Sequence, residues 1–240
     1  MENVTIHKIL DLDKQFYYET GKDFSKTRQS AWKGWGSVVK FFRQNFKNKE
    51  NISILDLGCG NGRFYWFLKN SQLNADYTGI DSNLYLLKEA KEKYPDTFFK
   101  KLDIFLNISR ITKRYDSVVG FGITHHLPSR ELRLKWFSQV GNLVAPEGLI
   151  ILTFWNFDKK IKSTGIPGII ENDLKPNDYF LKWQNKENIY RYAHLYSKKE
   201  LNEVQKTLLK DHFTLVNHFL ADGKDNKSNT YYIFKKIKIE

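Results

Sequence analysis

Cysteine, methionine and proline are scarce in this chain: one, one and five among 240 residues. The single Cys59 excludes an internal disulfide and a cysteine-built zinc site, and it suits a reducing compartment. Long apolar runs are missing too. Gly148 to Phe154 is among the longest and falls far short of the roughly 20 residues that a membrane-spanning helix needs. The opening stretch, MENVTIHKILDLDK, has early acidic residues and no apolar h-region, so neither a signal peptide nor a membrane partner is expected, and the expected compartment is the cytoplasm. Acidic residues are also in deficit, 27 Asp+Glu against 39 Lys+Arg, which leaves a net charge of +12. A surplus of that size favours a polyanionic partner, most simply nucleic acid, although Lys-rich surfaces also follow from AT-rich coding.

What the chain does contain is apolar and aromatic: 41% hydrophobic and 15% aromatic residues, enough for one large packed domain. Residues 1–50 read as a helical, aromatic N-terminal extension. From Asn51 to residue 240 the pattern is of alternating strands and helices. Apolar runs at Ile52–Leu57, Tyr77–Ile80, Thr97–Leu102, Tyr115–Ile123 and Leu149–Trp155 read as strands. Helices are expected at Arg63–Asn70, Asn83–Tyr94 and Ser129–Val144, the last with Ser129 as N-cap, and a turn at Ala145-Pro146-Glu147-Gly148. That alternation predicts an α/β fold with a doubly wound, mostly parallel sheet. Residues 156–196 break the rhythm and read as a long connection. Ser197–His212 reads as a helix. Phe213–Leu220 and Thr230–Ile239 then form an antiparallel C-terminal hairpin around the turn ADGKDNKSN.

The chemistry centres on ILDLGCGNGR, Ile54 to Arg63. Gly58, Gly60 and Gly62 follow a strand and precede a helix, where glycine lets the backbone turn sharply and approach a ligand. The spacing G-x-G-x-G departs from the dinucleotide fingerprint G-x-G-x-x-G, and no Gly-Lys-Ser/Thr follows, which excludes a triphosphate loop. S-adenosylmethionine is the competing ligand. Asp56 lies where it would anchor an ammonium through water. Asp81 in YTGIDSN ends the next strand, where a carboxylate accepts ribose hydroxyls. Asp103 in KLDIF ends the third and would face an adenine amino group. Each of these acids taken alone is equally well read as a helix N-cap.

DLGCGNG, GIDSN, KLD, SVVGFGI and APEG, in this order, resemble the successive motifs of class I S-adenosylmethionine-dependent methyltransferases. The resemblance spans about residues 50 to 156. It implies a Rossmann-like sheet of seven strands with the last antiparallel, S-adenosyl-L-methionine as cofactor, and Asp56, Gly58, Cys59, Gly60, Asp81, Ser82, Asp103 and Ile104 around it. The flanks resemble the tRNA wobble-uridine carboxymethyl methyltransferases. FYYETGKDFSKTRQSAWKGW matches that family's entry segment at Phe24, Ser25, Thr27, Arg28 and Trp32. THHLPSRELR matches at His125, His126, Leu127 and Arg133, and LTFWNF matches at Trp155. YRYAHLYSKKEL matches an Arg-Tyr-Tyr-His motif at Arg191, Tyr192 and His194, with Ala193 in place of a tyrosine.

The resemblance implies methyl-ester formation on a carboxymethyl group of tRNA. A carboxylate is already ionised at neutral pH and needs no general base, only a cation to hold it. Arg28 and Arg191 are the candidates for that grip. Trp32, Trp155, Tyr192 and His194 are the candidate wall for an unpaired base. His125 and His126 are expected as pocket wall beside the reacting methyl, one near cofactor or substrate and one packed. Adjacent histidines on extended chain point opposite ways, and no cysteine or acidic cluster completes a metal shell. A small-molecule O- or N-methyltransferase with the same core is the alternative, and a non-catalytic RNA-binding protein a third reading. Eukaryotic members of the resembled family work with a small zinc-binding activator, which makes such a protein a candidate partner.

Overall fold

The computed structural model of the chain describes residues 1–27, 29–157, 169, 171–183 and 188–238. Two helices lead, α1 (Asn3–Lys26) and α2 (Trp35–Asn45). Next come β1 (Ile52–Leu57), α3 (Arg63–Asn70), β2 (Ala75–Asp81), α4 (Leu84–Lys93) and β3 (Phe98–Lys101). The short α5 (Ile104–Asn107), β4 (Tyr115–Gly120), α6 (Arg130–Asn142) and β5 (Val144–Trp155) follow. The rest is β6 (Asp178–Lys182), β7 (Tyr190–His194), α7 (Lys198–Lys210), β8 (Phe213–Ala221) and β9 (Asn229–Lys236). Among the described residues no helix is long and apolar enough to cross a membrane.

Seven strands form one sheet in the order β3-β2-β1-β4-β5-β9-β8. The first five pair in parallel, and β9 runs antiparallel between β5 and β8. This is the expected doubly wound sheet with its terminal hairpin. The cause is visible in β5: Ile150, Leu152 and Phe154 enter one core, and Leu149 and Ile151 the other. A strand that is apolar on both faces has to be covered on both. Trp136, Phe137 and Val140 of α6, with Val204 and Leu208 of α7, cover one side. Val38 and Phe42 of α2, Phe64 and Leu68 of α3, and Leu87 and Ala90 of α4 cover the other.

Two stretches differ from the sequence reading. The turn at 145–148 is a bulge inside β5: Val144 pairs with Tyr115, the register shifts, and Leu149 pairs with Ser117, with Glu147 at φ +64°. The connection after β5 is not all loop. β6 and β7 pair antiparallel as a separate two-stranded sheet. Phe180 and Tyr192 from that sheet pack against Ile9 of α1. α1 in turn lies against α4 and β7. Ser129 caps α6 as expected, its Oγ accepting from Leu132 N at 3.2 Å. Because β1 leads outward to β2 and β4 leads the other way to β5, the sheet opens a crevice at its strand ends between them.

Candidate active site

The loop after β1 sets the floor of that crevice. Gly58, Gly60 and Gly62 all take left-handed φ, +74°, +55° and +79°. A side chain at Gly58 would meet Ile123 Cγ2 at 2.3 Å, so this glycine is required by packing. A side chain at Gly60 would meet only Leu86, at 3.9 Å, and would otherwise enter open space. The Gly60 N–H donates to Asp81 Oδ2 at 2.8 Å, and Asn83 N–H donates to Asp81 Oδ1 at 2.8 Å. Burial pushes the Asp81 carboxyl up, and these backbone donors oppose it. Asn61 ties the loop to its neighbours: its Nδ2 donates to Ser25 Oγ at 2.9 Å, and Ser25 donates to Glu89 of α4 at 2.6 Å.

Above the loop lies a cavity of about 590 Å³. Gly58, Cys59, Gly60, Asp81, Ser82, Asp103 and Ile104 are among the residues that line it. Asp103 has one oxygen committed to α5, accepting from Phe105 N at 3.0 Å and Leu106 N at 3.2 Å, and its other oxygen is 3.0 Å from Lys14 Nζ. Asp56 departs from the sequence expectation, because it does not line the cavity. Strand alternation sends its side chain under the loop to Tyr77, whose hydroxyl donates to it at 2.5 Å. Burial there pushes its carboxyl up to about 7. It supports the loop from below.

Trp32, Trp155, Arg191, His125 and His126 line the same cavity. Trp32 stacks on Trp35 with centroids 5.6 Å apart, at 20°. The Arg191 guanidinium lies over Trp155 at 4.9 Å and over Phe16 at 5.6 Å. Arg28 lies outside the described residues. Tyr192 and His194 correct the sequence reading, since neither lines the cavity. Arg191 and Tyr192 are consecutive on β7 and point to opposite sides, so Tyr192 is fully buried and donates its hydroxyl to Asp178 at 2.5 Å. His194 is held between Asp178 Oδ1 at 2.7 Å and Glu200 Oε1 at 2.8 Å. Arg133 reaches the same Glu200 oxygen at 3.0 Å. Burial would raise the Glu200 carboxyl, but hydrogen bonds from His194 and Ser197 hold it well below its usual range. This buried network clamps β6 and β7 to α6 and α7.

The two histidines sit on a single 3-10 turn, Thr124–His126, and not on extended chain, so their rings lie 4.1 Å apart instead of opposed. His126 is fully engaged. Its Nδ1 lies 2.9 Å from Asp13 Oδ2 and 3.0 Å from Tyr192 O, and its Nε2 lies 2.8 Å from the Tyr17 hydroxyl. The His125 Nδ1 has no hydrogen-bond partner among the described residues. Burial, then His126 and Arg191, push its imidazolium well below the usual range, so His125 stays neutral at physiological pH. Asp13 and Tyr17 are site residues that the sequence reading missed. The available signal was an aspartate on the buried stripe of α1, among Ile9, Leu10 and Phe16.

The comparisons with known proteins agree with this geometry. Residues 55–150 match a family model described as a methyltransferase domain. Among curated relatives, a protein of Encephalitozoon cuniculi with a provisional methyltransferase name is 28% identical, over 79% of this chain and 82% of that one. The tRNA (carboxymethyluridine(34)-5-O)-methyltransferase of Schizosaccharomyces pombe is 24% identical, over 86% of this chain and 88% of that one. Among solved structures, an S-adenosylmethionine-dependent methyltransferase from Clostridium acetobutylicum superposes with TM-score 0.63 at 15% identity, covering 94% of this chain and 99% of that chain. The magnesium protoporphyrin IX methyltransferase of Synechocystis PCC 6803 with bound SAH gives TM-score 0.65 at 16% identity, covering 95% and 99%. At such identities the structural likeness speaks for the fold.

Proposed function

We propose that this chain, whose residues 55–150 match a methyltransferase-domain model, is a class I S-adenosylmethionine-dependent methyltransferase and that it methylates a carboxymethyl group on the wobble uridine of tRNA. The observation that carries the reading is Arg191. It enters the cavity as a guanidinium among rings, with no carboxylate partner among the described residues. A partly buried cation with no carboxylate beside it among the described residues is suited to an anion supplied by the substrate. The printed activity of the Schizosaccharomyces pombe relative and the +12 charge support the same substrate class.

The site fits the cofactor on two counts. Gly60 leaves open the space that a Cβ would occupy, and Asp81, beside backbone donors, retains acceptor capacity for a hydroxyl donor. Asp81 would hold the ribose, and Asp103 and Ile104 would border the base. The bound sulfonium supplies an electrophilic methyl group. The protein's own work is then positioning and desolvation. Arg191 holds the acceptor carboxylate. Trp155 and Trp32 offer ring faces to the base, and neutral His125 presents a ring nitrogen without drawing charge away from the nucleophile.

The test is the chemistry of the product. tRNA incubated with methyl-tritiated cofactor should take up label that mild alkali releases as methanol, the behaviour of an ester. Alkali-stable label would place the methyl on a ring nitrogen, amine or phenol and refute the carboxylate acceptor.

A further inference from the structure

Arg191 has no acidic partner among the described residues, yet its position is not left to chance. Asp13 and Tyr17 are i and i+4 on α1, so their side chains emerge from the same face of the helix. Between them and β7 sits His126, 4% exposed. Asp13 uses both oxygens: Oδ1 accepts the Tyr192 N–H at 2.7 Å, and Oδ2 faces His126 Nδ1 at 2.9 Å. The second neighbour of Nδ1 is the Tyr192 carbonyl, at 3.0 Å. Both neighbours are acceptors, so Nδ1 carries the ring proton. In the neutral ring Nε2 is then the acceptor, and Tyr17 donates its O–H to it across 2.8 Å. With its proton committed inward, the Tyr17 oxygen has its lone pairs left for the cavity, which it lines together with Arg191, the cation that acts on it electrostatically.

We propose that Asp13, His126 and Tyr17 form a relay that positions the Arg191 guanidinium for an anionic acceptor without neutralising it. The order of groups is what makes this work. A carboxylate touching Arg191 would form an ion pair and cancel the pull on the substrate. Here Asp13 stands behind two hydrogen bonds, and a neutral phenol lies between it and the cavity that Arg191 lines. Asp13 sets the tautomer, His126 transmits it and Tyr17 presents an acceptor. Asp13 and His126 are thus positioning residues that act through Tyr17. The inference rests on the carboxylate reading above, because an uncharged acceptor would need no free cation.

Asp13→Asn is the informative change. An amide can satisfy the Tyr192 N–H with its oxygen, but its NH₂ then faces His126 Nδ1 and favours the proton on Nε2. Nitrogen-15 NMR of histidine-labelled protein should show His126 protonated at Nδ1 in the wild type and at Nε2 in Asp13→Asn. Single-turnover methylation of tRNA bearing carboxymethyluridine should fall about 10- to 100-fold in Asp13→Asn and in Tyr17→Phe, with cofactor affinity unchanged and rates still flat with pH. Tyr17→Phe keeps the ring against Phe16, Phe24 and His126, so it tests the hydroxyl should Asp13→Asn fail to fold. An Nε2 proton in the wild type, or wild-type rates in Tyr17→Phe, would overturn the relay alone. A wild-type rate that climbs with pH and loses the climb in Tyr17→Phe would make the relay a general base, overturning both the relay and the carboxylate reading.

Discussion

Replacing Arg191 by lysine keeps the charge and removes the planar fork. The backbone should tolerate it, because the side chain is only partly buried and β7 is held by its pairing with β6, Arg191 opposite Leu181. Lysine can still lie over Trp155, where the guanidinium sits at 4.9 Å, but it cannot offer two parallel N–H donors to a carboxylate. Losing one charge-assisted hydrogen bond in a desolvated site costs about 1.5–3 kcal/mol, and the remaining contact is weakened by misorientation. The sum is roughly 2–4 kcal/mol of transition-state stabilisation, or about two to three decades in rate. Single-turnover rates with saturating cofactor measure this directly. Calorimetry on the same protein should show unchanged cofactor affinity, since Arg191 enters the cavity from β7, against Trp155 and Phe16, and not from the glycine loop. A lysine variant within about half a decade of the wild-type rate would refute the grip.

The cofactor site, the buried aspartate and the clamp each carry an expected outcome. Asp81→Ala removes a charged acceptor that also anchors Gly60, and should weaken S-adenosylmethionine binding by about two decades or more, while Gly60→Val should abolish it; both are read by calorimetry and by loss of the ligand-induced rise in Tm. Asp56 has its folded pKa raised from 3.8 to about 7, so its protonated form contributes stability that is present below the unfolded value and lost as pH rises through the folded one. Asp56→Asn has no such loss: its melting temperature relative to wild type should climb between about pH 4 and 7, by at most about 4 kcal/mol of stability, and a pH-independent difference would refute the buried charge. Glu200→Ala leaves Arg133 and His194 buried without their shared carboxylate and should cost roughly 3 kcal/mol, or roughly 6–12 °C in Tm, in thermal unfolding.

The parallel sheet was legible because its strands are apolar on both faces, a pattern that demands helices on both sides. Asp81 was legible as a cavity residue because it closes a strand immediately beside the glycine loop. Asp56 was not, since a strand-end acid reads the same whether it points over the strand end or under the loop, and only the Tyr77 partner decides. β6 and β7 were hidden because five residues of alternating aromatic and polar character carry too little periodicity, and their core is borrowed from α1. The same short range misled on Tyr192 and His194. A polar and aromatic motif has one sequence signature for a cavity wall and for a buried network, and the partners that settle it, Asp178 and Glu200, lie elsewhere in the chain. The relay was invisible for a related reason: Asp13, Tyr17 and His126 are joined only by the way α1 docks on the sheet.

The most direct test of the central claim is mass spectrometry of tRNA nucleosides after incubation with methyl-labelled S-adenosylmethionine. The expected result is one labelled product, carboxymethyluridine from the wobble position gaining a single methyl on its carboxylate, formed by wild type and suppressed in the Arg191→Lys protein. Label on any other nucleoside, or cofactor binding with label appearing only on small acids, phenols or amines, would contradict it.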